Sequence, residues 1–159
     1  MKKIESFQVN HLVLKRGLYL SRRDGVSNGT VSTFDIRMKA PNVEKVMSTA
    51  VMHTLEHLGA TYLRSHPVWG EKTVYFGPMG CRTGFYVLFE GVLVPLDVAE
   101  VIRGLFAFAA EFEGDIPGAD PKECGNYSDM DLESAKAEAS VFLNEVLLSL
   151  NEENTKYAE

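Results

Sequence analysis

Two histidines one helical turn apart, with a glutamate directly before the second, give this sequence its clearest chemistry. His53, Glu56 and His57 lie in the stretch HTLEH. On a helix, positions i, i+3 and i+4 share one face, so these side chains would project together and both imidazoles could bind one metal ion. A carboxylate beside the metal, but not bound to it, could transfer protons. The alternative is an ordinary helix with two half-exposed histidines and a solvated glutamate.

A catalytic site of this kind needs a third ligand from elsewhere, because three protein ligands leave one tetrahedral position open. The candidates are Cys81, Cys124, Glu133 and His66. Cys124 lies in KECGNYSD, whose Gly and Asn indicate a loop that could reach another element. Cys81 lies in GPMGCRTG, whose glycines allow a tight turn open to substrate. Its thiol is therefore also a candidate base or nucleophile.

The pattern of apolar residues predicts the strands that must position these groups. Residues 11–20 and 30–41 are rich in β-branched and apolar side chains, and turn signals at Asp24-Gly25 and Asn28-Gly29 separate them. Residues 72–91 indicate a second pair of strands, with Cys81 at or beside the glycine-rich turn. The sequence thus predicts two strand pairs.

Three helices are predicted, and the first carries HTLEH. It is expected to begin with Asn42 as its cap and to end before Pro67. The others run from Pro95 to Phe112 and from Asp131 to Leu150, and the polar tail 151–159 is expected to fray. Strands mixed with helices, without βαβ alternation, predict a single α+β domain over residues 1–159, with helices packed on one face of the sheet.

Composition excludes several classes of function. The 159 residues are 45% hydrophobic and 24% charged, as in an ordinary globular protein, and no apolar run is long enough to cross a bilayer. The N-terminus lacks the uninterrupted apolar stretch of a signal peptide, so we expect a cytoplasmic protein. A net charge of −6 argues against nucleic acid as a partner. Two cysteines in a reducing compartment indicate a ligand, a nucleophile or a buried thiol rather than a disulfide.

Three motifs taken together resemble S-ribosylhomocysteine lyase, the LuxS family that makes the autoinducer-2 precursor. They are HTLEH, PMGCRTGFY and KECGNY, and the similarity runs from IESF near the N-terminus to SAK in the last helix. The resemblance implies that His53, His57 and Cys124 hold the metal, which is Fe²⁺, with Zn²⁺ or Co²⁺ as substitutes, one per subunit. It implies that Glu56 and Cys81 are the acid/base pair. It also implies an antiparallel sheet in an α/β sandwich, and a homodimer with its sites at the subunit interface.

The resemblance extends to the substrate pocket. The family elements SF…H and FD-x-R correspond here to Ser6 with His11 and to Arg37, whose guanidinium would suit the homocysteine carboxylate. Arg82, beside Cys81, is also predicted to bind substrate. The chain departs from the family at Tyr75 and Asn10, where the family usually has aspartate.

The implied reaction explains the residue types. S-ribosylhomocysteine would be cleaved to homocysteine and 4,5-dihydroxy-2,3-pentanedione by two carbonyl migrations and a β-elimination. A metal acting as a Lewis acid and two proton-transfer groups suffice for these steps. Two other functions remain open. An inverted-motif zinc peptidase would use Glu133 as its third ligand, and a structural zinc site would be closed by His53, His57, Cys81 and Cys124.

Overall fold

A four-stranded antiparallel sheet, in the order β1-β2-β4-β3, organises the chain in the computed structural model, which describes residues 1–158. The strands are β1 (Gly17–Val26), β2 (Gly29–Arg37), β3 (Thr73–Pro78) and β4 (Gly84–Glu90). β1 and β2 form one hairpin, β3 and β4 form the other, and pairing of β2 with β4 joins the two. The predicted pairs of strands are confirmed.

The helices are α1 (Glu5–Gln8), α2 (Thr49–Ser65), α3 (Pro95–Glu111), α4 (Leu132–Glu145) and α5 (Glu152–Thr155), with a 3₁₀ turn at Leu147–Ser149. HTLEH lies in α2, as predicted. Among the helices of residues 1–158, none combines the length and the apolar composition that crossing a membrane requires.

The core lies between one face of the sheet and the three long helices α2, α3 and α4. Because side chains alternate along a strand, one face collects Leu18, Phe34, Ile36, Phe85 and Val87, and all five are fully buried. The helices contribute large apolar side chains to the same cluster, among them Leu55, Leu58, Ile102, Phe106 and Phe142. This arrangement confirms a single α+β domain with helices packed on one face.

The opposite face of the sheet carries polar side chains that are nevertheless buried. Asp35 of β2 is flanked by its register partners Tyr19 and Tyr86. Asp35 and its neighbour on this face, Arg37, are only 1% and 3% exposed. Buried charges require close partners, and these two residues form a salt bridge of 2.7 Å.

The C-terminal tail differs from the frayed segment predicted for residues 151–159. Residues 152–155 form α5, and the ring of Tyr157 stacks on Tyr19 with centroids 4.8 Å apart. The Tyr157 hydroxyl donates a hydrogen bond of 2.8 Å to Asp35. The tail therefore covers part of the polar face, while Glu159 lies outside the described residues.

Several predicted boundaries are wrong. β1 begins at Gly17 rather than within 11–16 and continues through Asp24-Gly25, so the hairpin turn is Ser27-Asn28 alone. Asn42 does not cap α2: it lies in a turn with a φ of 62°, and Ser48 caps the helix by accepting a hydrogen bond from the Val51 amide. α4 ends at Glu145 instead of extending to Leu150.

Candidate active site and metal centre

Two imidazole nitrogens meet on one face of α2. His53 and His57 are one turn apart, and their Nε2 atoms lie 3.1 Å from each other. The helix that presents them is fixed by its buried residues, including Leu55 and Leu58, which point towards the core. The predicted projection of the two histidines from one face is therefore present.

Cys124 supplies a sulfur atom to the same point. It lies in the long loop between α3 and α4, where the Asp120 carbonyl accepts hydrogen bonds from the amides of Glu123 and Cys124. Its Sγ lies 3.3 Å from the Nε2 of His53. The ligand atoms of His53, His57 and Cys124 all lie within 4.8 Å of one another. Of the candidates for a third ligand, the structure brings Cys124 to the histidines.

The protonation of these side chains fits a metal ion. The Nδ1 atoms of His53 and His57 lie 3.0 Å and 2.7 Å from the backbone carbonyls of Asp129 and Pro117. Because a carbonyl only accepts, each Nδ1 carries the proton and each Nε2 presents a lone pair. Two such nitrogens and a cysteine sulfur directed at one point form a donor set that suits a metal cation. A tetrahedral ion about 2.0–2.3 Å from each ligand atom suits this spacing.

Gly118 makes this packing around His57 possible. Its φ is +73°, a conformation that L side chains rarely adopt, and a Cβ atom added there would lie 3.0 Å from the Nδ1 of His57. The adjacent Pro117 carbonyl can then approach the imidazole. Neither carbonyl contact was predicted from the sequence, since both come from backbone atoms of a loop with no local signal for it.

A cleft of about 320 Å³ opens beside the metal ligands. His53, Glu56, Gly80, Arg82 and Asp129 are among its lining residues. Glu56 lines the cleft but does not belong to the His53, His57 and Cys124 group that could hold a metal ion. The cleft thus joins the face of α2 to the turn that carries Cys81.

Cys81 lies in the turn between β3 and β4, as predicted, and its thiol is exposed. Its Sγ lies 3.1 Å from the hydroxyl oxygen of Thr83 and 4.0 Å from Nη1 of Arg37. Next to it, Arg82 adopts a left-handed φ of 59° and donates a hydrogen bond to the Met47 carbonyl. The turn is therefore held against the end of β2 and the segment before α2.

Arg37 does not have a free guanidinium. Its Nε and Nη2 donate to the two carboxylate oxygens of Asp35 at 3.0 and 2.7 Å, and its Nη1 donates to Thr83 at 2.7 Å. Burial alone would lower the pKa of Arg37, but Asp35 outweighs that effect and the pKa is raised. Among the described residues, Arg37 therefore forms an internal ion pair, and its guanidinium is not free to bind the carboxylate of a substrate.

The tyrosines around Asp35 are held in their neutral form. Burial and then the Asp35 charge raise the pKa of Tyr19 to about 12. The same two causes, in the same order, raise the pKa values of Tyr86 and Tyr157. These hydroxyls can therefore donate hydrogen bonds at neutral pH, as Tyr157 does to Asp35.

Two predicted substrate residues do not line the cleft. Ser6 of α1 lies beside a smaller cavity of about 190 Å³ on the polar face of the sheet, together with Tyr75 and Tyr86. His11 is half-buried, with its Nδ1 2.8 Å from the Val9 carbonyl. Within one chain, then, Arg82 is the predicted substrate residue that lines the cleft.

The alternative ligand sets are not assembled among the described residues. His66 is the C-cap of α2, and its Nδ1 accepts hydrogen bonds from the amides of Val68 and Trp69. Glu133 is an exposed side chain in the first turn of α4. Neither joins the metal-binding group, and Cys81 is also outside it. This geometry contradicts both the peptidase ligand set and the closed four-ligand zinc site.

Comparison with known proteins gives one consistent result. The sequence profile described as S-ribosylhomocysteinase (LuxS) matches residues 4–153. The chain is 54% identical over 157 residues to S-ribosylhomocysteine lyase from Clostridium beijerinckii, covering 99% of both sequences. It is 52% identical over 157 residues to the lyase from Phocaeicola vulgatus, covering 99% of this chain and 98% of the relative. It is 49% identical to the lyase from Clostridium acetobutylicum over 159 residues, all of both sequences.

Proposed function

Because this chain belongs to the S-ribosylhomocysteinase (LuxS) family and is a carbon–sulfur lyase of that kind, we propose that it cleaves S-ribosylhomocysteine to homocysteine and 4,5-dihydroxy-2,3-pentanedione. One structural observation supports this function independently of the sequence similarity. One cleft is lined by a member of a His-His-Cys group that could hold a metal ion, by the carboxylate of Glu56 and by residues of the turn that carries Cys81. The product makes the protein a source of the autoinducer-2 precursor.

We propose that His53, His57 and Cys124 hold one metal ion per chain, Fe²⁺ with Zn²⁺ or Co²⁺ as substitutes. The ion would supply Lewis acidity, lowering the cost of negative charge on the substrate oxygens as protons leave the neighbouring carbons. The chain's part is to hold both imidazoles by their Nδ1 protons and so keep their Nε2 lone pairs directed at one point.

Glu56 and Cys81 would carry the protons. A carbonyl moves from carbon 1 to carbon 2 when a proton leaves carbon 2 and another is delivered to carbon 1, and the move to carbon 3 repeats this exchange. Removal of the proton at carbon 4 then expels the homocysteine thiolate from carbon 5, and that thiolate takes up a proton. Each proton removed is matched by one delivered, so two groups beside the cleft are sufficient.

The charged end of the substrate requires a cation. Arg82 is an exposed residue that lines the cleft, and its guanidinium makes one hydrogen bond, to the Met47 carbonyl. The guanidinium of Arg37 is instead engaged through three nitrogens, by Asp35 and Thr83. We therefore favour Arg82 for the homocysteine carboxylate. Arg37 would then act on the substrate only indirectly.

We propose a homodimer in which each cleft is completed by the partner subunit. The support is that Ser6 and His11 do not line the cleft of their own chain, although the family pattern makes them substrate residues. Activity per chain should then fall on dilution as dimers dissociate, in parallel with the mass measured by light scattering. Full activity of a monomer would contradict the proposal.

We also place the protein in the cytoplasm, where its two free cysteines stay reduced.

The direct test is to incubate the purified protein with S-ribosylhomocysteine and titrate the released thiol. The parent should release one equivalent of homocysteine per substrate, and His57→Ala should release none because a metal ligand is missing. Glu133→Gln, which changes an exposed residue outside the cleft, is the matched control and should behave as the parent. Absence of thiol release by metal-loaded parent protein would disprove the function.

A further inference from the structure

Thr83 occupies a position that the reaction described above does not explain. It follows Cys81 by two residues and is only 4% exposed. Its backbone carbonyl accepts hydrogen bonds from the amides of Met38 and Lys39 at 2.9 and 3.0 Å, so its place beside the end of β2 is fixed. Its hydroxyl oxygen lies between the Nη1 of Arg37, at 2.7 Å, and the Sγ of Cys81, at 3.1 Å.

The direction of the first of these hydrogen bonds follows from the groups involved. A guanidinium carries only donors, so Arg37 must donate to the Thr83 oxygen. The hydroxyl then has one proton to give. Within residues 1–158, the Sγ of Cys81 is the acceptor within hydrogen-bonding distance of it. Thr83 thus accepts from Arg37 and keeps its own proton available for the sulfur of Cys81, a donation that is strongest when the sulfur is a thiolate.

Arg37 cannot replace this contact by itself. Its Nε and Nη2 are committed to Asp35, and its Nη1 lies 4.0 Å from the sulfur but 2.7 Å from the threonine. The ionisable groups that interact with Cys81 are Arg37 on β2, which is paired with Asp35, and Tyr86 on β4; Arg82 is its neighbour in the turn. Of these groups, Arg37 contacts Thr83, and the positive charge of Arg37 is paired with the carboxylate of Asp35.

We propose that Thr83 is a positioning residue whose hydroxyl, held by Arg37, fixes the place of the Cys81 sulfur and sets how readily that sulfur reacts. The proposal rests on the function proposed above, which gives Cys81 a role in proton transfer. Thr83 would act only through Cys81, because its own side chain is buried and already engaged.

The test compares Thr83→Val with Thr83→Ser in the metal-loaded protein. Valine keeps the shape of threonine but lacks the hydroxyl, whereas serine keeps the hydroxyl. Because only the thiolate reacts with alkylating agents, iodoacetamide labelling of Cys81, followed by mass spectrometry, reports its state without any turnover. Thr83→Val should slow this labelling and lower kcat by about tenfold or more, the usual effect of losing a hydrogen bond to a charged group. Thr83→Ser should restore both rates.

Thr73→Val is the matched control. Thr73 is as buried as Thr83 and its hydroxyl donates one hydrogen bond, to the Trp69 carbonyl, but it lies at the far end of β3 from the Cys81 turn. This variant should keep the parental kcat and the parental labelling rate of Cys81. A decrease in kcat equal to that of Thr83→Val would show that loss of any buried hydroxyl is enough, and would overturn the proposal.

The outcomes separate this proposal from the function on which it rests. If Thr83→Val labels and turns over like the parent, Thr83 has no positioning role, whatever Cys81 does. If Cys81→Ala still releases homocysteine, the proposed role of Cys81 fails instead, while labelling of Thr83→Val still reports on the thiol. If Thr83→Val does not fold, Thr83→Ala provides the same comparison, because alanine also lacks the hydroxyl and adds no atoms.

Discussion

Glu56 shares a helix face with both histidines but is not one of the clustered ligand atoms. We predict that Glu56→Gln retains the metal and loses homocysteine release by a factor of about a hundred or more, since glutamine keeps the shape but cannot carry a proton. Elemental analysis and thiol titration measure the two properties separately. Metal loss in this variant would instead make Glu56 a ligand.

The two cysteines should respond differently to removal. Cys124→Ala deletes a sulfur that lies 3.3 Å from a histidine nitrogen, so the metal should bind weakly and the melting temperature of the loaded protein should fall. Cys81→Ala should keep its metal and its fold while releasing no homocysteine. Metal content, thermal melting and thiol release on both variants decide this. Equal metal loss in the two variants would contradict the separate roles.

The sequence alone predicted more of the metal site than of its surroundings. Spacing along one helix brings His53 and His57 together without any information on the fold, which is why that part was predictable. The choice of Cys124 over the other candidates depends on where a distant loop lies in space, and from the residues alone it stayed open. Arg37 was assigned to the substrate by the family resemblance, and the sequence does not show that Asp35, two positions earlier, and Thr83 engage its guanidinium in a buried place.

The loop between α3 and α4 controls His57 through Gly118. We predict that Gly118→Ala lowers metal affinity by about tenfold or more, because the added Cβ would press on the imidazole and disturb a contact that orients a ligand. Metal affinity is measured by competition with a chelator.

Gly114→Ala is a matched control for this loop. Gly114 also has a positive φ, of +102°, but a Cβ there would meet no atom within 4 Å. Both variants should lose stability by about 1–2 kcal/mol through backbone strain, and only Gly118→Ala should lose metal affinity. Equal metal affinity in the two variants would show that contact with His57 has no effect.

The errors in element boundaries have a common physical origin. The apolar spacing from Val43 to Val51 fits a helix, yet Val43 is 80% exposed and the chain turns at Asn42 before α2 begins. Asn42 alone was predicted as the cap, whereas Ser48, six residues later, has the side chain that accepts the hydrogen bond from the first turn. In β1, Asp24-Gly25 is a good turn signal that pairing with β2 overrides.

The tail and the sheet are joined by one buried hydrogen bond. We predict that Tyr157→Phe lowers the free energy of unfolding by about 1–2 kcal/mol, because Asp35 loses a donor in a buried place while the ring can still stack on Tyr19. Urea unfolding measures this. Tyr127→Phe, a change at an exposed tyrosine, should leave the stability unchanged.

The polar face should also make the protein sensitive to alkali. The folded pKa of Tyr19 is about 12, raised by burial and by Asp35, whereas an unfolded tyrosine titrates near 10. The folded state thus holds this proton more tightly. Its contribution to stability is complete below a pH of about 10 and is lost as the pH rises towards 12. Urea unfolding at several alkaline pH values should show this loss, and Tyr19→Phe should reduce it.

The sheet order β1-β2-β4-β3 sets an order of assembly in time. Each hairpin closes over a short stretch of chain, whereas β2 and β4 are separated in sequence by the whole of α2. We therefore expect the two hairpins to form early and the pairing of β2 with β4 to form late. Both histidines are in place as soon as α2 forms, but Cys124 arrives from a distant loop, and Cys81 and Thr83 meet Arg37 only when the hairpins join. A metal ion captured by a nascent chain would therefore be held by two ligands until the loop between α3 and α4 docked against α2, and stable loading would be among the last events of folding.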